Sequence, residues 1–235
     1  MNVVEILEEL VAIPSVNPMG RDLSGEEYLE TRLSEWLCRF FSDRGILHER
    51  IEVVPGRSNV VARVDSTNDR PTVVLDAHQD TVPVDGMTIA PFDPVTRDGR
   101  LYGRGACDVK GGMAAMLHAV TRLATEQPDG AFNVVMSCTC DEEATVQGIN
   151  DLVRLWTDET RHCELVPTRP DMALVAEPTK LDVVVAHRGA TRWKIRTTGR
   201  ACHSSQPELG LNAIYAMGKV LECLEEYAGG LADRV

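Results

Sequence analysis

Residues 71–80 read Pro-Thr-Val-Val-Leu-Asp-Ala-His-Gln-Asp. Val73, Val74 and Leu75 form a short, β-branched apolar run, which suits a central strand covered on both faces. The run delivers Asp76, His78 and Asp80 at its carboxyl end. In open α/β sheets the working site forms beyond the carboxyl ends of the strands. His78 and Asp80 are two apart, so on an extended backbone their side chains leave the same face. That spacing suits a metal-ligating imidazole with a carboxylate beside it to orient ring or metal. Taken alone, the pair reads more readily as a satisfied histidine in a surface turn.

Upstream, residues 2–12 carry Val3, Ile6, Leu7, Leu10 and Val11 on one helical stripe. Pro14 and Pro18 stop that helix and frame the loop Ser15-Val16-Asn17. Ser24 with Glu27 reads as a capping box that opens a second helix running to about Asp43, ended by Gly45. Two strands, 47–54 and 58–64, meet at Pro55-Gly56. Downstream, residues 85–99 read as loop with a turn at Asp98-Gly99. Gly111-Gly112 leads into a helix over 113–125, and small residues there permit a close backbone approach. A strand over 131–139 ends at Asp141-Glu142-Glu143, a helix covers 148–157, and a short strand over 172–176 ends at Glu177.

Alternation of strand, loop and helix predicts an α/β fold, a mostly parallel sheet flanked by helices. The pattern changes after about residue 182. Two strands, 181–186 and 191–198, turn at Arg188-Gly189 and precede a helix over 210–227. The expected division is therefore a domain over residues 1–182 and the start of a smaller α+β domain over 183–235.

The net charge of −12 disfavours binding to a phosphate backbone, so nucleic acid is not an expected partner. No stretch is long and apolar enough to span a membrane, and the N-terminus lacks the basic and apolar regions of a signal peptide. The seven cysteines are odd in number and irregularly spaced, which favours reduced thiols in a cytoplasmic protein.

Several segments end in metal-capable groups: His78 with Asp80, then Asp108, Glu142-Glu143 and Glu177. One imidazole among carboxylates suits a divalent ion such as zinc, cobalt or manganese. The adjacent pair Glu142-Glu143 repels itself unless a cation or proton intervenes. One of the two can bind metal while the other acts as general base; spacing does not say which. Singly, the acidic triplet reads as a solvated turn and Asp108 as a helix cap.

Five segments in order carry a family resemblance: HQDTVP at 78–83, GRGACDVKGGMAAM at 103–116, DEE at 141–143, AEPT at 176–179 and GRACHSSQPELGLNAI at 199–214. Together they resemble the M20 family of metallopeptidases and amidohydrolases, the group of acetylornithine deacetylase, succinyl-diaminopimelate desuccinylase, aminoacylase and carboxypeptidase G. The likeness runs from residue 10 to nearly the end. It implies a zinc-exopeptidase-like catalytic domain followed by a lid and dimerisation domain. It implies two divalent ions, zinc first, with cobalt or manganese as alternatives. His78, Asp108 and Glu177 would hold one ion, with Asp108 bridging to a second held by Glu143. Asp80 would orient His78, and Glu142 would be the general base. His203 would reach the partner subunit's site in a homodimer and stabilise the oxyanion, and Arg188 is a candidate for a substrate carboxylate.

The implied substrate is an N-acyl amino acid of the acetylornithine type. The alternatives are a succinyl-diaminopimelate desuccinylase, a dipeptidase or carboxypeptidase, or an inactive dimerising homologue. Members of the family supply a second metal-binding histidine from a later segment. His187 and His203 both fall in the lid and do not provide it, so the chain is expected to be truncated and weak or inactive alone.

Overall fold

The computed structural model describes residues 1–66, 69–186, 189 and 193–231. The chain divides into two compact units, Met1–Val183 and Val184–Val235.

The first unit opens with α1 (Val3–Ala12), whose Asn2 Oδ1 accepts from the amides of Val4 and Glu5 while the Glu5 carboxylate accepts from Asn2 N. That reciprocal arrangement is a capping box. It is followed by α2 (Thr31–Ser42), β1 (Leu47–Val54), β2 (Arg57–Val64) and β3 (Thr72–His78). Strands β4 (Val95–Arg97) and β5 (Arg100–Tyr102) form a small hairpin about Asp98-Gly99. An irregular turn, Ala106–Lys110, leads into α3 (Gly111–Glu126). Then come β6 (Asn133–Thr139), α4 (Gln147–Thr157) and β7 (Met172–Val175).

The main sheet has five strands in the order β1-β2-β6-β3-β7. Strand β3 runs parallel to both β6 and β7, whereas β1–β2 and β2–β6 pair antiparallel. The sheet is mixed, with a parallel core, because the tight turn at Pro55-Gly56 leaves β1 and β2 no crossover. Alternate residues feed two cores. On one face Ala62, Ala77, Val134 and Met136 meet Leu10 of α1, Leu37 and Phe41 of α2 and Leu117 of α3. On the other, Val61, Val74 and Val135 meet Leu152 and Leu155 of α4. At Gly112 α3 comes close to the end of β7: a Cβ there would lie 2.7 Å from the Ala176 Cβ. Among the described residues no strand pairs with the outer side of β7, and Met172, Leu174 and Val175 are exposed on it.

The Ser24 capping box does not form. Helix α2 begins seven residues later, at Thr31, because residues 25–30 are committed elsewhere. Val16 N donates to Glu27 O, Leu29 N donates to Val16 O, and Glu30 is fully buried against Arg57. Tertiary pairing overrides the local cap signal.

In the second unit α5 (Ala213–Leu231) follows a single turn of 3₁₀ helix, Pro207–Leu209. Asn212 Oδ1 accepts from Ile214 N at 2.9 Å and caps the helix start. The expected strand over 181–186 is not formed, and among the described residues of 191–198 no strand is present. The described pairing in this unit is an isolated bridge between Arg200 and Leu211. Arg188 and His187 lie outside the described residues.

Candidate metal centre

The end of β3 sets the centre. His78, the last residue of β3, is buried. Its Nδ1 donates to the Asp80 main-chain carbonyl at 2.9 Å, while the Asp80 carboxylate stands 3.6 Å away. The ring is thus oriented by the carbonyl of Asp80 rather than by its carboxylate, which contributes charge. This fixes the tautomer and turns Nε2 toward Asp108 Oδ1, at 3.1 Å, and Glu142 Oε2, at 4.0 Å.

The Asp80 carboxylate has another task. Its two oxygens accept from the amides of Glu142, at 3.0 Å, and Glu143, at 3.1 Å. Asn17 Nδ2 adds a third bond at 2.7 Å. Burial works against charge on Asp80, but His78, Asn17 and the Glu142 amide outweigh it and hold the carboxyl below its usual range. Asp80 therefore connects β3 to the turn after β6, the turn that carries the adjacent glutamates.

Two groups of side chains bring ligand atoms within 4.8 Å of one another: His78 with Glu142 and Glu177, and His78 with Asp108 and Glu143. All the sequence-predicted ligands of the first unit thus converge on His78. Asp108 comes from the turn before α3, Glu142 and Glu143 from the turn after β6, and Glu177 from just beyond β7. His78 is common to both groups, which otherwise pair Glu177 with Glu142 and Asp108 with Glu143.

The electrostatics are those of an anionic cluster. Burial, reinforced by Asp108, Asp80 and Glu142, pushes the Glu143 carboxyl up to about 7, with His78 opposing. Burial raises Glu177 too, with the same opposition from His78 and reinforcement from Asp108 and Glu142. Burial disfavours the His78 imidazolium, but the Asp80 carboxylate, then Glu142 and Asp108, overcome it and push the imidazole up to about 10. Carboxylates that raise each other and an imidazole that clings to a proton are groups in want of a cation. A histidine with a carbonyl on one nitrogen and several carboxylates around the other fits a divalent ion.

Behind this cluster lies a layer that sequence reasoning missed. Gln79, fully buried, donates to the Ser58 and Cys138 carbonyls and accepts from Ser34 Oγ. Lys110, also fully buried, donates from Nζ to Leu10 O at 2.9 Å and Ile13 O at 2.7 Å, which ties the Asp108 turn to the end of α1. Arg57 and Glu30 form a buried pair. The visible signal was limited to polar residues inside otherwise apolar stretches, such as Gln79 after Val73–Leu75. In the second unit His203 is exposed, with Nδ1 at 2.8 Å from Ser205 Oγ.

The sequence model of peptidase family M20/M25/M40 matches residues 74–226, which include His78, Asp80, Asp108, Glu142, Glu143 and Glu177. The chain belongs to that family. Acetylornithine deacetylase of Vibrio campbellii is 34% identical over 222 residues, covering 93% of this chain and 54% of the relative. Acetylornithine deacetylase of Pectobacterium carotovorum is 31% identical over 236 residues, covering 98% of this chain and 57% of the relative. The chain thus spans about half the length of the curated relatives it matches. Among solved structures, a tripeptidase from Staphylococcus aureus superposes with a TM-score of 0.63 at 21% identity, covering 94% of this chain and 55% of that one. Human carnosine dipeptidase 1 gives 0.60 at 21% identity over 84% of this chain and 40% of that one. At that identity these two establish the fold alone. No helix among the described residues is long and apolar enough to cross a membrane.

Proposed function

We propose that the protein is a metal-dependent amidohydrolase that removes the acyl group from an N-acyl amino acid, with acetylornithine-type substrates first. The observation that carries this is the convergence of His78, Asp108, Glu142, Glu143 and Glu177 around one imidazole at the strand ends. The deacetylase relatives, at 31–34% identity, support the choice of substrate class.

In this reading His78, Asp108, Glu143 and Glu177 hold two divalent ions, zinc first. Bound ions supply Lewis-acid polarisation of the amide carbonyl and make water more acidic. Glu142, half-exposed beside the ligands, takes the proton from the attacking water and passes it to the leaving amine. Asp80 keeps His78 and the glutamate turn in register. His203 stabilises the oxyanion from a partner subunit, and Arg188 binds the substrate carboxylate. Residues 1–182 are then part of the catalytic domain and 183–235 the beginning of a lid that dimerises. The protein is cytoplasmic, with its thiols reduced.

The test is a panel of N-acetyl and N-succinyl amino acids and dipeptides, run on the zinc-loaded protein and on Glu142→Gln. Expected is hydrolysis of the N-acetyl substrates, weak in this chain by itself, that falls by about 10²–10⁴ in the variant, a typical general-base contribution, with ion content unchanged. Turnover of dipeptides alone removes the deacetylase assignment. Undiminished turnover in Glu142→Gln removes the general base.

A further inference from the structure

The turn that carries Glu142 and Glu143 is held from behind by a side chain with no place in the ligand set. Arg57, at the start of β2, is almost completely buried. Its Nε donates to Glu30 Oε2 at 3.0 Å and one terminal nitrogen donates to Glu30 Oε1, a two-pronged pair. Its other terminal nitrogen donates to Asp141 Oδ1 at 2.6 Å. Pinning β2 to the 25–30 segment needs only the first pair. The bond to Asp141 reaches the residue immediately before the candidate base.

Asp141 organises its turn. It is buried and has a left-handed backbone, φ +61°. Its carbonyl accepts from Val146 N at 2.7 Å. Its second carboxylate oxygen accepts from Thr145 Oγ1 and from Gln147 Nε2. Its Oδ1 shares Asn17 Nδ2 with the Asp80 carboxylate, at 3.0 and 2.7 Å, so the two carboxylates stand close together. Glu30 accepts from Asp141 N as well. Glu30, Asp80 and Asp141 thus bring three buried carboxylates to one place, and the Arg57 guanidinium touches or approaches each of them, with Asp80 Oδ2 at 3.8 Å. Buried like charges at this range repel unless a cation lies between them. A lysine could supply the charge but not the planar fork that meets the Glu30 carboxylate with two parallel bonds while a third donor serves Asp141.

We infer that Arg57 is a positioning residue for the candidate centre: its guanidinium fixes Asp141 beside Asp80, and that fixes where the Glu142 and Glu143 carboxylates point. The inference rests on the proposed metal site for its chemical consequence, but not for its geometry.

Arg57→Lys, Arg57→Met and Asp141→Asn test it in three measurements. The first is amide hydrogen exchange across residues 138–150 of the ion-free protein. The second is cobalt(II) affinity by chelator competition, with the visible absorption of the loaded protein. The third is kcat and KM on the best substrate. Expected for Arg57→Lys and Asp141→Asn are faster exchange at the Glu142 and Glu143 amides, cobalt binding weaker by about 10–100-fold, an altered absorption band, and a fall in kcat with KM held. Arg57→Met should show the same changes, larger. If it fails to fold, the other two variants decide. Folded Arg57→Lys and Asp141→Asn with unchanged exchange and cobalt affinity overturn the inference. A wild-type protein that binds no cobalt refutes the metal-centre reading instead, and the exchange measurement still decides the role of Arg57.

Discussion

Gly148, the second residue of α4, sets two physical effects against each other. By helix propensity, replacing it with alanine gains at most about 1 kcal/mol. Its backbone is not left-handed, so no conformational argument opposes the change. Space does. A Cβ at this position would meet the Cys140 carbonyl oxygen first, then Cys140 N at 2.5 Å and Asn59 Oδ1 at 2.7 Å. Two of these are main-chain atoms of the strand end and cannot swing away. The third belongs to a clamp: Asn59 Nδ2 donates to Gly148 O at 2.8 Å, Cys140 N donates to Asn59 Oδ1 at 3.0 Å, and Gly148 N donates to Cys140 O at 3.1 Å. Overpacking of this kind costs about 1–3 kcal/mol, and each hydrogen bond stretched or lost adds about 1 kcal/mol. The net expectation for Gly148→Ala is destabilisation by about 3 kcal/mol. Urea unfolding followed by circular dichroism measures it. Gly218→Ala, in the middle of α5 with nothing within 4 Å of its would-be Cβ, is the control, and there the propensity gain should appear. A Gly148→Ala protein as stable as wild type, or more so, would refute the steric reasoning.

Three further outcomes are expected. Burial pushes the Asp76 carboxyl from 3.8 up to about 6, with the Ser137 and Thr139 hydroxyls opposing only in part. A raised carboxyl stabilises while protonated, so that contribution is present below pH 3.8 and lost as pH rises through 6; the gap is worth about 3 kcal/mol. Asp76→Asn should therefore raise the melting temperature of the ion-free protein at pH 7 and leave it unchanged near pH 4; no difference between the two pH values would contradict this. Burial pulls the Lys110 amine from 10.5 down to about 7. Its contribution is then present above pH 10.5 and lost as pH falls through 7, so the unfolding free energy of wild type relative to Lys110→Met should climb between pH 7 and 10. A flat difference in urea melts would mean that the two carbonyls accepting from Nζ keep the ammonium charged. Finally, zinc at about 100 times its dissociation constant should stabilise the first unit by about 2.7 kcal/mol, reversed by chelator in the same melting experiment; an unmoved midpoint would speak against a built site.

The parts of this architecture that show in the sequence are those with a local cause. Val73, Val74 and Leu75 announce β3 because a strand buried on both faces needs an unbroken apolar run. The carboxylates at the strand ends were visible because each follows such a run or begins a helix. Ser24 misled because a capping signal is a local preference, and residues 25–30 are held instead by Val16 and Arg57. The strands expected at 181–186 and 191–198 rested on β-branched alternation alone, a pattern that depends on a neighbour to pair with. Arg57 and Asn17 were invisible as participants because their partner Asp141 lies 84 and 124 residues away. Asp80 stands 3.6 Å from His78, yet its carboxylate bonds go to the glutamate turn and Asn17, which no two-residue spacing reveals.

Those separations set when the centre can exist. Asn17 to Asp80 spans 63 positions, Arg57 to Asp141 spans 84, and Lys110 to Leu10 spans 100. Closing loops of such length comes late, after local helices and the β1–β2 hairpin have formed. A collapsed intermediate with much of its helix content would still lack the aligned donors. During refolding with cobalt present, visible colour should then lag behind the far-ultraviolet signal and arrive together with the last cooperative step. The ion would serve as a clock for completion of the first unit, reporting the moment at which four distant stretches of chain have found one another.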